Sequence, residues 1–322
     1  MSKKLPEKTK KIRSEDLISI FEKRYSEISP VWIPTQMEWM NSVYKTFNDY
    51  EKFMIIMYLL GNTFDFYSKN FMKLNYDEYF NQNQIEIEKI NVMQISRSLN
   101  IPKETARRKI VELEQMGTIK KLTKKIIIDR NTWPNIKPEE TIKRMSRFLS
   151  ILSGILHEEK IISEIITTDK LVEIAKEYFS FVWKLYYEMQ IPMLLNFKKI
   201  HGDLESFHVW GTCIVNQILN SKKNDNREMS KENYLIKYLY NYDQNNTGIN
   251  AMSISDITGI PRATVIRKLN KLIKTKFLIV DIKKHYLTTG VHKKKLTEAQ
   301  KKTFINLSKF AACIYNLSLM KN

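Results

Sequence analysis

IPKETARRKIVELEQMG, residues 101–117, has a counterpart in IPRATVIRKLNKLIKTK, residues 260–276, and the reading of this pair decides the fold. At 100° per residue Ala106, Ile110 and Leu113 fall on one stripe of a helix, and that stripe faces a core. Glu104, Thr105, Arg107 and Arg108 lie on the other side, with Lys103 ahead of them and Lys109 on the flank. In the second stretch Val265, Leu269 and Leu272 make the apolar stripe. Ala263, Thr264, Ile266 and Arg267 then face outward, with Arg262 ahead and Lys268 at the position of Lys109. Pro102 and Pro261 suit a first helical turn, where the N–H that proline lacks has no intrahelical partner anyway.

Working outward, each stretch sits in the same longer pattern. In the first copy a strand-like INVMQ from Ile90 leads to ISRSLN, one or two helical turns, and then to the longer helix, with Gly117 as its C-cap. TIKKLTKKIIID, Thr118 to Asp129, reads as two strands around a lysine-bearing turn. Strand, helix, helix and hairpin is the order of a winged helix-turn-helix. Residues 249–287 repeat residues 90–128 without a gap, with 13 identities in 39 columns that keep Pro102/Pro261, Thr105/Thr264 and Arg108/Arg267 in register. Chance matching in a lysine- and isoleucine-rich chain seldom does this, so the pattern reads as a duplication. Weaker matches extend it: Tyr44–Phe53 against Phe197–Phe207 with one inserted residue, Val31-Trp32 against Val182-Trp183, and Lys137–Arg144 against Lys295–Lys302. The expected organisation is a basic tail and leading helix (1–29), a first helical half (30–158, its winged unit at 90–130), a linking helix (159–180) and a second half (181–322, its winged unit at 249–290). The expected fold is mainly α with small β-wings, two tandem winged helix-turn-helix units in a pseudo-two-fold duplicated helical architecture.

Elsewhere, residues 14–27 read as a short amphipathic helix, and about 36–68 as buried helices broken near Gly61. Residues 74–88, polar and acidic, read as a connecting segment. Trp32, Trp39, Trp183 and Trp210 are assigned to packing, and Pro192 to a kink.

The 322 residues are 43% hydrophobic, enough for real cores, and the longest apolar run, Phe53–Leu60, is too short to cross a bilayer. MSKKLPEKTKKIR has no apolar stretch behind its lysines and is not a secretory signal, and two cysteines without a pairing pattern suit a reducing cytoplasm. The formal net charge of +18 points to polyanions. Part of that basicity follows from an AT-rich codon bias, but its location is specific. Residues 103–125 carry eight basic and three acidic residues, and residues 262–284 carry eight basic residues against Asp281 alone.

The stretches QISRSLNIPKETARRKIVELEQMGTI and SISDITGIPRATVIRKLNKLIKTKFL together resemble bacterial winged helix-turn-helix transcriptional regulators, of the broad type that includes the MarR-like and IclR-like groups. The resemblance covers about a quarter of the chain. It implies that Ser96–Asn100 and Ser255–Gly259 lie on supporting helices, that the proline-initiated helices are recognition helices, and that the lysine-bearing hairpins are wings. A recognition helix enters the major groove with its N-terminal residues nearest the base edges. Thr105 and Thr264 suit a phosphate or base, Arg108 and Arg267 suit guanine or phosphate, and Lys109 and Lys268 extend the basic face. Lys124, Lys125, Lys283 and Lys284 at the wing tips would neutralise backbone charge. Glu104 suits a cytosine amino group and Ile266 a thymine methyl, so the two half-sites should differ.

The expected partner is therefore double-stranded DNA, and the expected role transcriptional regulation from a pseudopalindromic site; a plasmid or phage replication initiator with tandem winged helices is the alternative. A winged-helix protein-interaction scaffold fits the basic outward faces less well. His201, Asp203, Glu205 and His208 are the one cluster with metal-like residue types, but their spacing fits a polar helix start better than a metal site. With eight glycines, and with no Walker loop, dinucleotide fingerprint or nucleophile elbow, an enzyme is disfavoured, and no cofactor is implied. The aromatic and methionine-rich segments Phe53–Tyr67 and Tyr178–Phe197 read mainly as core, while leaving room for a small-molecule effector, and the long apolar helices leave room for further self-association.

Overall fold

Apolar residues at helical spacing dominate the described chain, and it is mainly helical with two small antiparallel sheets. The computed structural model describes residues 11–88, 90–123, 125–129, 138–221, 230–235 and 248–320. Lys124, Lys137 and most of the basic tail lie outside the described residues.

Helix α1 (Ser14–Lys23) buries Leu17, Ile20 and Phe21 and ends at Arg24. Helix α2 (Tyr25–Phe47) begins at once and runs through Pro30 and Pro34. Each proline removes a ladder donor, and burial of Ile28, Trp32, Met37, Trp39 and Met40 on its core side offsets the loss. Helix α3 (Tyr50–Lys69) follows, so the break lies at Asn48–Asp49 rather than near Gly61, which sits inside α3. The cause is local chemistry. Asn48 takes a left-handed conformation (φ 51°) that closes α2, and the Asp49 side chain accepts from the N–H groups of Glu51 and Lys52 to cap α3.

Residues 74–88 are not a plain connector: they form α4 (Tyr76–Phe80), opened by an Asn75–Glu78 capping box, and strand β1 (Gln84–Glu88). Asn91 caps α5 (Val92–Leu99), so INVMQ begins a helix instead of a strand. Helix α6 (Lys103–Gln115), strands β2 (Ile119–Lys121) and β3 (Lys125–Asp129), and α7 (Glu139–Glu158) complete the first half. The sheet order is β1-β3-β2, with Ile85 and Ile119 both opposite Ile128.

The linking segment is helical only from Thr168, as α8 (Thr168–Glu177). Helix α9 (Phe179–His201) continues through Pro192, and Gly202 (φ 86°) ends it. Then come α10 (Leu204–Ser221), the single turn α11 (Lys231–Tyr234), α12 (Ala251–Thr258), α13 (Arg262–Lys274), β4 (Leu278–Val280), β5 (Tyr286–Thr288) and α14 (Lys293–Leu319). Among the described residues, Ile249 forms a bridge to Tyr286 beside this hairpin.

Element lengths match across the chain: α1 and α8 have 10 residues each, α2 and α9 23, α5 and α12 8, α6 and α13 13. Packing partners cross over in the same way. Helix α3 lies on α9 and α10 on α2, while α1 lies on α14 and α8 on α7. One hydrophobic cluster runs through all of these helices, so the two halves are interleaved around a shared core. No helix among the described residues is long and apolar enough to cross a membrane.

Candidate nucleic-acid interface

The two helix pairs α5–α6 and α12–α13 are built by the same local chemistry. Asn91 and Asn250 each accept from the backbone N–H three residues on, capping the supporting helix. Asn100 (φ 48°) and Gly259 (φ 72°) turn the chain in the left-handed region. Ser96 Oγ donates to the Ile101 carbonyl at 2.7 Å, and Ser255 Oγ donates to the Ile260 carbonyl at 2.7 Å. Pro102 and Pro261 stand at the N-cap, one position before the first helical turn, in nearly identical extended conformations (φ −52° and −53°).

From these starts α6 and α13 expose the same register. Lys103, Glu104, Arg107 and Arg108 are exposed in one, Arg262, Ala263, Ile266 and Arg267 in the other, and Thr105 and Thr264 are half-buried in both. Beneath them lie Ala106, Ile110 and Leu113, and Val265, Leu269 and Leu272. Arg107 and Arg108 make loose pairs along their own helix, to Glu104 and Glu112, both at 3.6 Å. Exposed pairs of this kind contribute little, so the guanidinium groups can exchange partners readily.

Lys109 and Lys268 behave differently from the open-face residues with which the sequence groups them. Each side chain is only 12% exposed and turns inward. Lys109 reaches Asp49 at 2.7 Å and Glu112 at 3.0 Å, and Lys268 reaches Asp203 at 2.7 Å and Glu205 at 3.5 Å. Burial opposes the Lys109 charge, but the two carboxylates outweigh it and raise its pKa. Burial likewise works against the Asp203 carboxylate, yet hydrogen bonds from Lys268 and Lys271 hold it well below the usual range. These lysines tie α6 and α13 to the N-termini of α3 and α10. The second layer of this network is charge-swapped: Glu112 in α6 meets Lys52 at 3.4 Å, whereas Lys271 in α13 meets Asp203 at 2.6 Å.

Each turn between helices also touches the other half. Lys198 at the end of α9 donates to the Asn100 carbonyl (3.2 Å) and pairs with Glu51. Lys45 at the end of α2 lies against Gly259, 3.4 Å from where a β-carbon would stand. Asp49, Lys45 and Lys198 are not among the residues singled out from the sequence, and Asp203 is singled out there only as part of a metal-like cluster. The alignment of 44–53 with 197–207 brackets them without showing what they touch.

At the wings, Lys125 begins β3, while the exposed Lys283 and Lys284 lie in the turn 281–285 of the second hairpin. That hairpin is fastened to α10, since Gln217 Oε1 accepts from both the Thr288 backbone N–H and its hydroxyl, each at 2.9 Å.

The residues of the metal-like cluster go separate ways. Asp203 and Glu205 serve the lysine network. Buried His208 accepts from the Tyr50 hydroxyl at Nδ1 (2.5 Å), and its Nε2–H donates to Asn41 Oδ1 (2.6 Å), joining α3, α10 and α2. His201 Nδ1–H donates to the Phe197 carbonyl (3.1 Å) among Phe207, Trp210 and Phe277. Burial lowers His208 to about 3 and His201 to about 4. Among the described residues no group of three or more His, Cys, Asp or Glu side chains is placed to hold a metal. A mainly apolar pocket of about 80 Å³ lies between α2, α9 and α10, lined by Trp32, Met37, Met193, Phe197 and Trp210.

Comparison with family models, with curated proteins and with solved structures finds no match to this chain.

Proposed function

We propose that this chain is an internally duplicated, sequence-specific double-stranded DNA-binding protein, a transcriptional regulator whose α6 and α13 act as two recognition helices on one pseudopalindromic site. The observation that carries the reading is the repeated construction of the two helices. Two exposed faces, each rich in basic residues at the same register, stand on helices held from behind by the same lysine–aspartate contact. The matched lengths and crossed packing of the helices support an ancestral pair of winged helix-turn-helix units fused into one chain.

In this reading Arg108 and Arg267 grip guanine or phosphate, Thr105 and Thr264 bond the backbone or a base edge, and Lys103 and Arg262 lie nearest the groove wall. Glu104 with Arg107, against Ala263 with Ile266, gives the two heads different base preferences. Ile266, 39% exposed, offers an apolar surface to a thymine methyl. Lys283 and Lys284 neutralise flanking phosphates, while the Lys125 side chain lies outside the described residues. Lys109 and Lys268 orient the recognition helices and do not touch DNA.

The test is site selection from a random duplex pool followed by affinity measurement across salt concentrations. Arg108→Ala and Arg267→Ala should each weaken binding by about 1–3 kcal/mol, each relaxing selection in a different half-site and leaving thermal stability unchanged. Loss of a phosphate contact should reduce the salt slope by about 1. Failure of the wild-type chain to bind any duplex at low salt would refute the proposal.

A further inference from the structure

The turn of the second wing displays a side chain that the reading above leaves unused. Ile282 is 99% exposed, although burying an isoleucine is ordinarily worth about 1.5–3 kcal/mol. The turn that presents it is closed on all sides. Asp281 Oδ1 accepts from the N–H groups of Lys283 and His285, each at 2.8 Å. The Asp281 N–H donates to the His285 carbonyl, and the Lys284 N–H to the Asp281 carbonyl, both at 3.0 Å. Lys284 is held in the left-handed region (φ 59°), a conformation that costs a lysine energy. A β-branched side chain, stiff about its first torsion, is thus fixed at the tip of a hairpin between β4 and β5, with exposed Lys283 and Lys284 beside it.

We infer that Ile282 is an apolar wedge that enters the minor groove beside the second half-site and opens a base step there, bending the duplex at that half-site only. The inference rests on the DNA-binding reading. The groove is about 6 Å wide, enough for one aliphatic side chain, and isoleucine is among the residues that unstack steps in this way. The neighbouring lysines supply the charge needed to bring phosphates to both sides of the tip. The first wing lacks the device, because Thr123 stands at the register of Ile282. The two wings therefore act on DNA differently, one by charge alone and the other by charge and insertion.

The experiment uses the full chain and duplexes of about 40 base pairs, recovered from a random pool by wild-type protein at about 50 mM KCl and labelled at both ends with a dye pair. Wild type should shorten the end-to-end distance. Ile282→Ala and Ile282→Thr should lose most of that bend and bind about tenfold more weakly, with unchanged melting temperature. Lys283→Ala should keep the bend and lower the salt slope. An Ile282→Thr protein that binds and bends like wild type would overturn the wedge, as would wild-type binding to straight DNA. Wild type that binds no duplex would overturn the DNA reading itself, and the wedge with it.

Discussion

His208 and His201 are two polar side chains on which the core depends in their uncharged forms. His208 has a hydroxyl on one ring nitrogen and an amide oxygen on the other, and its burial disfavours the protonated ring. Its folded-state value of about 3 and that of His201, about 4, lie below the ordinary value of about 6.5. The unfolded chain therefore binds more protons over this interval. Stability is fully present above about pH 6.5 and falls as the pH drops toward the folded values, by up to about 1.4 kcal/mol per pH unit for each histidine. A urea midpoint measured at about pH 7.5 and again at about pH 5.5 should fall markedly, and His208→Gln should flatten the dependence. A midpoint that does not move would contradict this account of the two rings. At the same scale, Lys109 and Lys268 show where reading residues from a wheel stops. Both sit at the edge of the apolar stripe, so the wheel fixes their angle but not the element opposite. The carboxylates they meet, Asp49 and Asp203, lie about 60 residues away in sequence, at helix starts recognisable as such only once the breaks at Asn48 and Gly202 are known.

The ends of α6 and α13 bring the element scale into view. Both helices close with the same pair of backbone bonds: Gly117 N–H to Glu114 and Thr118 N–H to Leu113 in one, Lys276 N–H to Ile273 and Phe277 N–H to Leu272 in the other. The residue at the turn is left-handed in each, Gly117 at φ 72° and Lys276 at φ 61°. Glycine adopts that conformation without strain and an exposed lysine does not, so Lys276→Gly should stabilise the protein by about 1 kcal/mol and raise its urea midpoint. An unchanged or lowered midpoint would show that the Lys276 side chain contributes something the helix end does not reveal. Helices α6 and α13 and the hairpins that follow them are legible in the sequence because their periodicity, turn residues and repetition agree. Strand β1 was not: QIEIE alternates as a strand does, with Ile85 and Ile87 buried, but its glutamates make it look like a linker, and its partner β3 lies some 40 residues on. Helix α2 was obscured for the opposite reason. Its two prolines argue locally for a break, and only the burial of its aromatic face overrides them.

At the scale of the whole molecule, the repeat in the sequence points to two halves, and the packing adds that neither half closes on itself. The end of α2 supports the turn before α13, the end of α9 supports the turn before α6, and α1 and α8 each pack on the last helix of the other half. Such a frame holds the two candidate reading heads at a fixed separation without a second chain. The most direct test of the central claim is the stoichiometry and footprint of the complex with a duplex selected by the wild-type protein, measured by mass and by hydroxyl-radical protection. The account predicts one chain per duplex, protecting two unequal half-sites about 34 Å apart on one face of the DNA. Two chains on a perfect palindrome, each protecting a single half-site, would contradict it.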